Sequence, residues 1–368
     1  MRRFGYAILS IFTVLSAAGL MLSYLSVYVS PERVWFLSFF GLLFAPLLLL
    51  NIALLLLWVV LRKWLLLLFP LAAVLLNLGF ARTLVHLPLG KKNVAAETKL
   101  RLLSYNVNLF GLKRTYQDPS TYTQIADFIN HEKFDVACLQ EFYVHRNVQS
   151  EQQFAKKVPY LPYRSVYYSR LRSNNQLGLA TFSRFPIVSR GNIAFSNTTN
   201  AAIFTDIALN ATDTVRIYNV HLQSVRFGDR ERDLLQSERF WYDTKKDHSS
   251  VLLSASDKLN NAFRIRAQQV DTISKHIRQS PYTVIVCGDF NDTPVSYSYH
   301  TMRGNLRDGF MEAGRGLMST FVSIIPSLRI DYILYSDYFR SNAYYCPNLS
   351  FSDHYPLVCR LAVREKDE

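Results

Sequence analysis

The chain has 368 residues, 49% of them hydrophobic, with 41 Lys/Arg against 28 Asp/Glu and a net charge of +13. That length exceeds one small domain and fits one large domain plus a further segment. Four cysteines without a CxxC pair argue against a disulfide scaffold and a structural zinc site; Cys138 and Cys287, in apolar runs, read as small core residues.

The charge is unevenly spread. Residues 1–98 hold eight Lys/Arg and two acids, so the excess on the remaining 270 residues is seven. That excess suits an anionic partner such as a phosphate ester, nucleic acid or lipid head group, and equally an ordinary solvated basic surface.

The first elements in chain order are three charge-free runs, 4–31, 34–61 and 64–81. A bilayer core needs roughly 20 apolar residues in a helix. The first two runs exceed this, and the third reaches it if Arg82 snorkels and the helix continues toward Val85. Three N-terminal transmembrane helices over residues 1–85 are therefore expected, with Pro46 kinking the second and Asn51 and Asn77 serving as helix–helix contacts. The first run is too long for a signal peptide, and no small-residue cleavage site precedes the next. Arg2, Arg3, Arg62 and Lys63 oppose Arg33, Arg82, Lys91 and Lys92 in the positive-inside balance. The Arg pair and the tight Arg62-Lys63 turn favour an integral protein of a bacterial inner membrane with its large domain extracytoplasmic. Residues 86–99, with Pro, Gly and charge, read as a linker.

From Leu100 strands and helices alternate. Strands are predicted at 101–107, 135–141, 177–187, 215–222, 283–290, 329–336 and 355–363. Helices are predicted over 121–134, with Ile125, Phe128 and Ile129 in phase, and over 263–280, with Phe263, Ala267, Val270 and Ile277 in phase. Several strand pairs lack an intervening helix, which points to a layered α/β fold with mixed sheets. Residues 223–262 read as a long charged insertion, a surface loop or a lid.

One strand after another ends in polar groups: Asn106 and Asn108, Gln140 and Glu141, Asn219 and His221, Asp289 with Asn291 and Asp292, Asp331, and Asp353 with His354. Singly, each is an ordinary turn residue. Together they belong on the common edge where α/β folds place ligands. Carboxylates, amides and two histidines without cysteine suit a hard cation of the Mg²⁺ type, and no HExxH or similar spacing favours zinc. Such a set suits hydrolysis of a phosphate ester. A metal on Glu141 neutralises oxygens, a carboxylate such as Asp289 activates water, and histidines stabilise the charge that builds. An Asp behind a His fixes its tautomer.

In this order, SYNVN, LQE, GLATFSRFPI, NVHL, GDFND, RIDYI and SDHYPL resemble the endonuclease/exonuclease/phosphatase superfamily, from Leu100 to the C-terminus. The resemblance implies a four-layer α/β sandwich of two mixed β-sheets over residues 100–368. It implies Mg²⁺ or Mn²⁺ held by Glu141 and Asn106, with Asp289 and Asp353 as further ligands. Asp289 would orient or deprotonate the water, and Asn291 would hold the phosphate or that water. His221 and His354 would contact the phosphate, and Asp331 or Asp353 would support His354. Several nucleases of the family have an acid where this chain has Asn108, which weakens a two-metal arrangement. Arg184 could reach a phosphate or form a surface salt bridge. Three functions follow: a membrane-anchored phosphoesterase acting on a lipid head group, an extracytoplasmic nuclease, and an inactive scaffold, which has no need to keep these residues.

Overall fold

The computed structural model describes residues 2–87, 99–111, 120–145, 150–171, 175–196, 198–228, 231, 248–323 and 328–364. Most of the expected linker (88–98) and much of the 223–262 insertion (229–230 and 232–247) lie outside the described residues.

Four helices come first: α1 (Arg2–Ser26), α2 (Leu37–Leu42), α3 (Phe44–Val60) and α4 (Trp64–Leu84). Two of them, over Phe4–Ser26 and Trp64–Leu84, are long and apolar enough to cross a membrane. The second apolar run is not the single kinked span expected. It breaks at Leu43, and the 17 residues of α3 rise only about 25 Å against a bilayer core of about 30 Å. Pro46 lies in the first turn of α3 rather than mid-helix. It has no N–H to offer the Leu42 carbonyl, so the break falls just before it. Polar side chains join the helices: Asn51 Nδ2 donates to Ser16 Oγ (3.0 Å), Trp58 Nε1 to Thr13 Oγ1 (3.0 Å), and Asn77 Nδ2 to the Leu20 carbonyl (3.2 Å).

The α/β body has four layers. One sheet runs in the order β13 (Phe339–Tyr345), β14 (Leu357–Val363), β2 (Leu100–Asn106), β3 (Val136–His145), β5 (Asn175–Ser183), β4 (Tyr163–Leu171). The other runs β10 (Arg307–Asp308), β12 (Asp331–Tyr335), β9 (Thr283–Asp289), β8 (Thr214–His221), β7 (Ala201–Ala208), β6 (Ile187–Ala194). Among the described residues only β2–β3 and β8–β9 pair in parallel, so both sheets are mixed. Between the sheets pack Leu102, Cys138, Ile217, Ile285, Cys287 and Ile333, all fully buried, each such aliphatic side chain stabilising the fold by about 1.5–3 kcal/mol. Strands buried on both faces are continuously apolar, as VIVC is in β9.

The outer face of the first sheet carries α5 (Ser120–Glu132) and α6 (Glu151–Lys157), through Ile125, Ile129 and Phe154. The outer face of the second carries α7 (His248–Arg278) and α8 (Tyr297–Arg303), through Val270, Ile273, Tyr299 and Met302. The last fifteen residues of the expected insertion therefore belong to α7, which is 31 residues long. Three shorter elements are also described. These are β1 (Val85–His86), α9 (Gly309–Ala313) and β11 (Gly316–Leu317), with β1 and β11 pairing antiparallel.

Candidate active site

Parallel pairing of β2 with β3 and of β8 with β9, and antiparallel pairing of β12 with β9 and of β14 with β2, bring six polar strand ends to one edge of the sandwich. Three local devices shape this edge. Gly288 has φ 139°, and a Cβ there would lie 1.9 Å from the Val220 carbonyl. Its bare backbone lets β9 close on β8, which sets Asp289 opposite His221 in the ladder. Glu141 sits at a register shift between β3 and β5, with φ 51°. The bulge turns its carboxylate out of the strand alternation and toward the site. Asn291 also adopts a left-handed backbone, φ 52°, and strained residues of this kind gather at functional sites.

Asp289 is the centre of the arrangement. Its Oδ2 accepts from Asn106 Nδ2 (3.0 Å) and its Oδ1 from the Asn291 backbone N–H (2.8 Å). The Nε2 atoms of His221 and His354 both lie 3.7 Å from Asp289 Oδ2. That is too long for a hydrogen bond and short for a charge interaction. His221 Nε2 is also 3.9 Å from Glu141 Oε1. His354 Nδ1 donates to Asp331 Oδ2 (3.0 Å), which turns Nε2 toward the cleft. The Thr320 hydroxyl accepts from the Ile330 and Asp331 backbone N–H groups, at 2.9 and 3.1 Å, and steadies that carboxylate from behind.

Burial pushes the Asp289 carboxyl up to about 6, helped by the charge of Asp331 and opposed by both histidines and Asn106. Burial alone would lower the His354 imidazole, but Asp331 and Asp289 outweigh it and hold it up at about 10. His354 is thus a cation at neutral pH.

Asn106, Glu141, His221, Asp289, Asn291, Asp331 and His354 therefore converge. Asp331, not Asp353, is the partner of His354. The half-buried Asp353 carboxylate lies 3.4 Å from Ser352 Oγ, outside the group in which Asp289, Asp331 and His354 offer ligand atoms within 4.8 Å of one another. Arg184 is not at this edge. It pairs with Asp135 at 3.1 Å, beyond the opposite end of β5. Asn108 is buried with φ 42° and donates its backbone N–H to Asn106 Oδ1 (3.0 Å), which orients that amide.

Three supporting roles are not apparent from the sequence, although Gln140 is one of its polar strand ends. Gln140 Nε2 donates to Asn219 Oδ1 across the sheets (2.7 Å). Arg266, 1% exposed on α7, bonds Asp292 (3.2 Å) and the Gln223 carbonyl (2.8 Å). Ser352 Oγ donates to the Asn106 carbonyl (2.8 Å). Only a polar residue inside an apolar segment, as Gln140 is, leaves a trace of such a role.

The donor set fits a hard divalent cation. Glu141 supplies a carboxylate beside His221, and Asn106 an amide oxygen whose second lone pair remains once it has accepted the Asn108 N–H, while His354 is committed as a hydrogen-bond donor through Asp331.

Residues 103–354 match the Endonuclease/Exonuclease/phosphatase family, and the chain belongs to that family. Residues 6–84 match a domain of unknown function, DUF8431. The comparison with curated proteins gives no match. Among solved structures, an endonuclease/exonuclease/phosphatase from Beutenbergia cavernae is 16% identical, with TM-score 0.51, covering 72% of this chain and 71% of that one. The human Nocturnin catalytic domain with bound sulfate is 18% identical, with TM-score 0.49, covering 72% and 93%. An endonuclease/exonuclease/phosphatase from Bacteroides vulgatus is 15% identical, with TM-score 0.49, covering 72% and 99%.

Proposed function

We propose that the protein is a membrane-anchored, Mg²⁺-dependent phosphoesterase that hydrolyses a phosphodiester or phosphate of a lipid head group by in-line attack of water. The observation that carries the hydrolytic reading is the pairing of a buried carboxylate with two imidazoles. Asp289 Oδ2 faces the Nε2 atoms of His221 and His354 at 3.7 Å each, with Glu141 alongside. Glu141 and Asn106 would hold Mg²⁺, which when bound neutralises phosphate oxygens. Asp289, with a carboxyl near 6, is suited to orient the water and take its proton at neutral pH. His354, kept cationic by Asp331, donates from Nε2 to a phosphate oxygen, and His221 does so from the other side. The Asn291 amide, fixed by its bond to the Leu222 carbonyl (3.0 Å), positions the phosphate or the water without adding charge.

The placement of the anchor supports the lipid reading. The helices meet the body at the edge that carries the site. Arg329, two residues before Asp331, donates to the Thr83 carbonyl at the end of α4 (3.0 Å). Val295, six residues after Asp289, is buried among Leu20, Val27 and Phe44. A bilayer around the helices would then bring its head groups to the cleft. Lys63 Nζ lies 5.7 Å from the Tyr6 ring centroid, so the start of α1 and the Arg62-Lys63 turn share the end far from the body. With those cations inside, the body lies outside a bacterial inner membrane.

The test uses the full chain in detergent micelles with bis-p-nitrophenyl phosphate. Turnover with Mg²⁺ that is lost with EDTA and in His354→Ala is expected; no turnover of any ester favours a scaffold. Sphingomyelin, phosphoinositides and plasmid DNA, offered in parallel, separate a lipid substrate from a nucleic acid. Cleavage of DNA alone overturns the lipid reading.

A further inference from the structure

The apolar helices do more than hold on to a membrane: their body-side ends touch the two loops that carry Asp289 and Asp331. The first loop leaves β9 at Asp289 and passes Asn291 and Asp292. Its next fixed point is Val295, which is 1% exposed and lies in one cluster with Ala17, Leu20, Val27, Phe44, Leu48 and Ala73 of the helices. Its backbone is held as closely as its side chain. A Cβ on Gly41 of α2 would sit 2.3 Å from the Val295 carbonyl oxygen and 2.6 Å from Ser26 Oγ. Only a glycine lets α2 come this close. One residue later, Ser296 caps α8, its Oγ accepting from the Tyr299 N–H (3.1 Å). The Tyr28 ring meets His300 of α8 at 4.8 Å.

The second loop enters β12. Arg329, 2% exposed, donates to Asp308 (2.9 Å) and, through its other nitrogen, to the Thr83 carbonyl (3.0 Å). Asp331, which holds His354, follows two residues later. The two loops are themselves joined, for the Tyr332 hydroxyl donates to the Asp292 carbonyl (2.8 Å) and the Phe290 N–H to the Ile330 carbonyl (2.9 Å).

We propose that the body end of the helical bundle positions the catalytic loops, with Gly41 against Val295 on one side and Thr83 against Arg329 on the other. Val295, Gly41 and Arg329 are positioning residues for Asp289, Asn291 and Asp331. The proposal rests on the catalytic reading of the site. Glu141 and Asn106 stand on the other sheet and are not held in this way.

The experiment compares full-length variants in detergent micelles. Gly41→Leu drives a side chain into the Val295 carbonyl, and Val295→Ala leaves a gap without a clash. Gly79→Leu is the control, because a Cβ on Gly79 of α4 meets nothing within 4 Å. Gly41→Leu and Val295→Ala are expected to lower kcat for bis-p-nitrophenyl phosphate about tenfold or more. KM and the half-saturating Mg²⁺ concentration should stay within about twofold, and Val295→Ile should restore most of the rate. In metal-free protein, amide hydrogen exchange should quicken over 290–297 in Val295→Ala and stay unchanged at Val107. Gly79→Leu should match the wild type in every measurement. If Val295→Ala keeps both the wild-type kcat and the wild-type exchange, the inference is overturned, whatever Gly41→Leu does. A wild type with no turnover overturns the catalytic reading, and this inference with it.

Discussion

Asp289→Asn should remove activity and make the metal-free protein more stable. Burial and Asp331 lift the Asp289 carboxyl from the ordinary aspartate value to about 6. Keeping it ionised at pH 7 therefore costs the folded state about 3 kcal/mol. An amide at 289 escapes that cost. It still accepts from the Asn291 N–H, but its second position must face Asn106 Nδ2, now 3.0 Å from Asp289 Oδ2, which sets buried donors against each other at a cost of at least about 1 kcal/mol. The net gain is at most about 2 kcal/mol, a rise in Tm of up to roughly 5 °C for a body of this size. The gain has a defined pH window. Between about 4 and 6 the folded chain holds a proton at Asp289 that the unfolded chain has released. Wild-type stability from this group therefore falls as pH rises through that window. The variant's advantage should be full at pH 7 and gone near pH 4. Thermal unfolding of the full chain with EDTA at both pH values measures it, and diester turnover with Mg²⁺ should fall at least about a hundredfold. A variant that melts below the wild type at pH 7, or keeps its advantage at pH 4, refutes the electrostatic account. Near wild-type turnover refutes the role as base.

Glu141→Gln should raise the Mg²⁺ concentration for half-maximal turnover by at least about tenfold, measured by metal titration. Asp331→Asn should lower kcat about a hundredfold by releasing His354, while Asp353→Asn, outside that group, should lower it much less. Arg329→Met leaves the buried Asp308 carboxylate without its cation and should destabilise the chain by about 3–5 kcal/mol in chemical unfolding. Adding Asp308→Asn to it should recover part of that loss.

The inner strands and most of the cleft are legible in the sequence because burial on both faces forces apolar runs such as VIVC, and the polar residues that end them have no other reason to recur. The structure's other strands carry weaker patterns. β6 is largely exposed, with Val188 at 58%, so no apolar alternation marks it. β11 is two residues long. The first turns of α7 bury little beyond Val251 and Ala255, too sparse a stripe to read as a helix. Arg266 looks like a surface cation, and only the fold shows that Asp292 and a carbonyl surround it. The bulge at Glu141 is hidden because LQEFYV continues as a strand on either side. The break at Leu43 was written in Gly41 and Pro46, but an apolar run that is long enough overall conceals a local interruption.

The amide pair between the sheets sets a limit on how this cleft can move. Gln140 Nε2 bonds Asn219 Oδ1, and Asn219 Nδ2 bonds the Ala180 carbonyl at 3.0 Å, all fully buried. Leucines there could slide past one another with little penalty, whereas these amides find partners at a single offset. The pair acts as a dowel that fixes the lateral register of the two halves, leaving rotation about that point as the freer way for the cleft to widen or narrow.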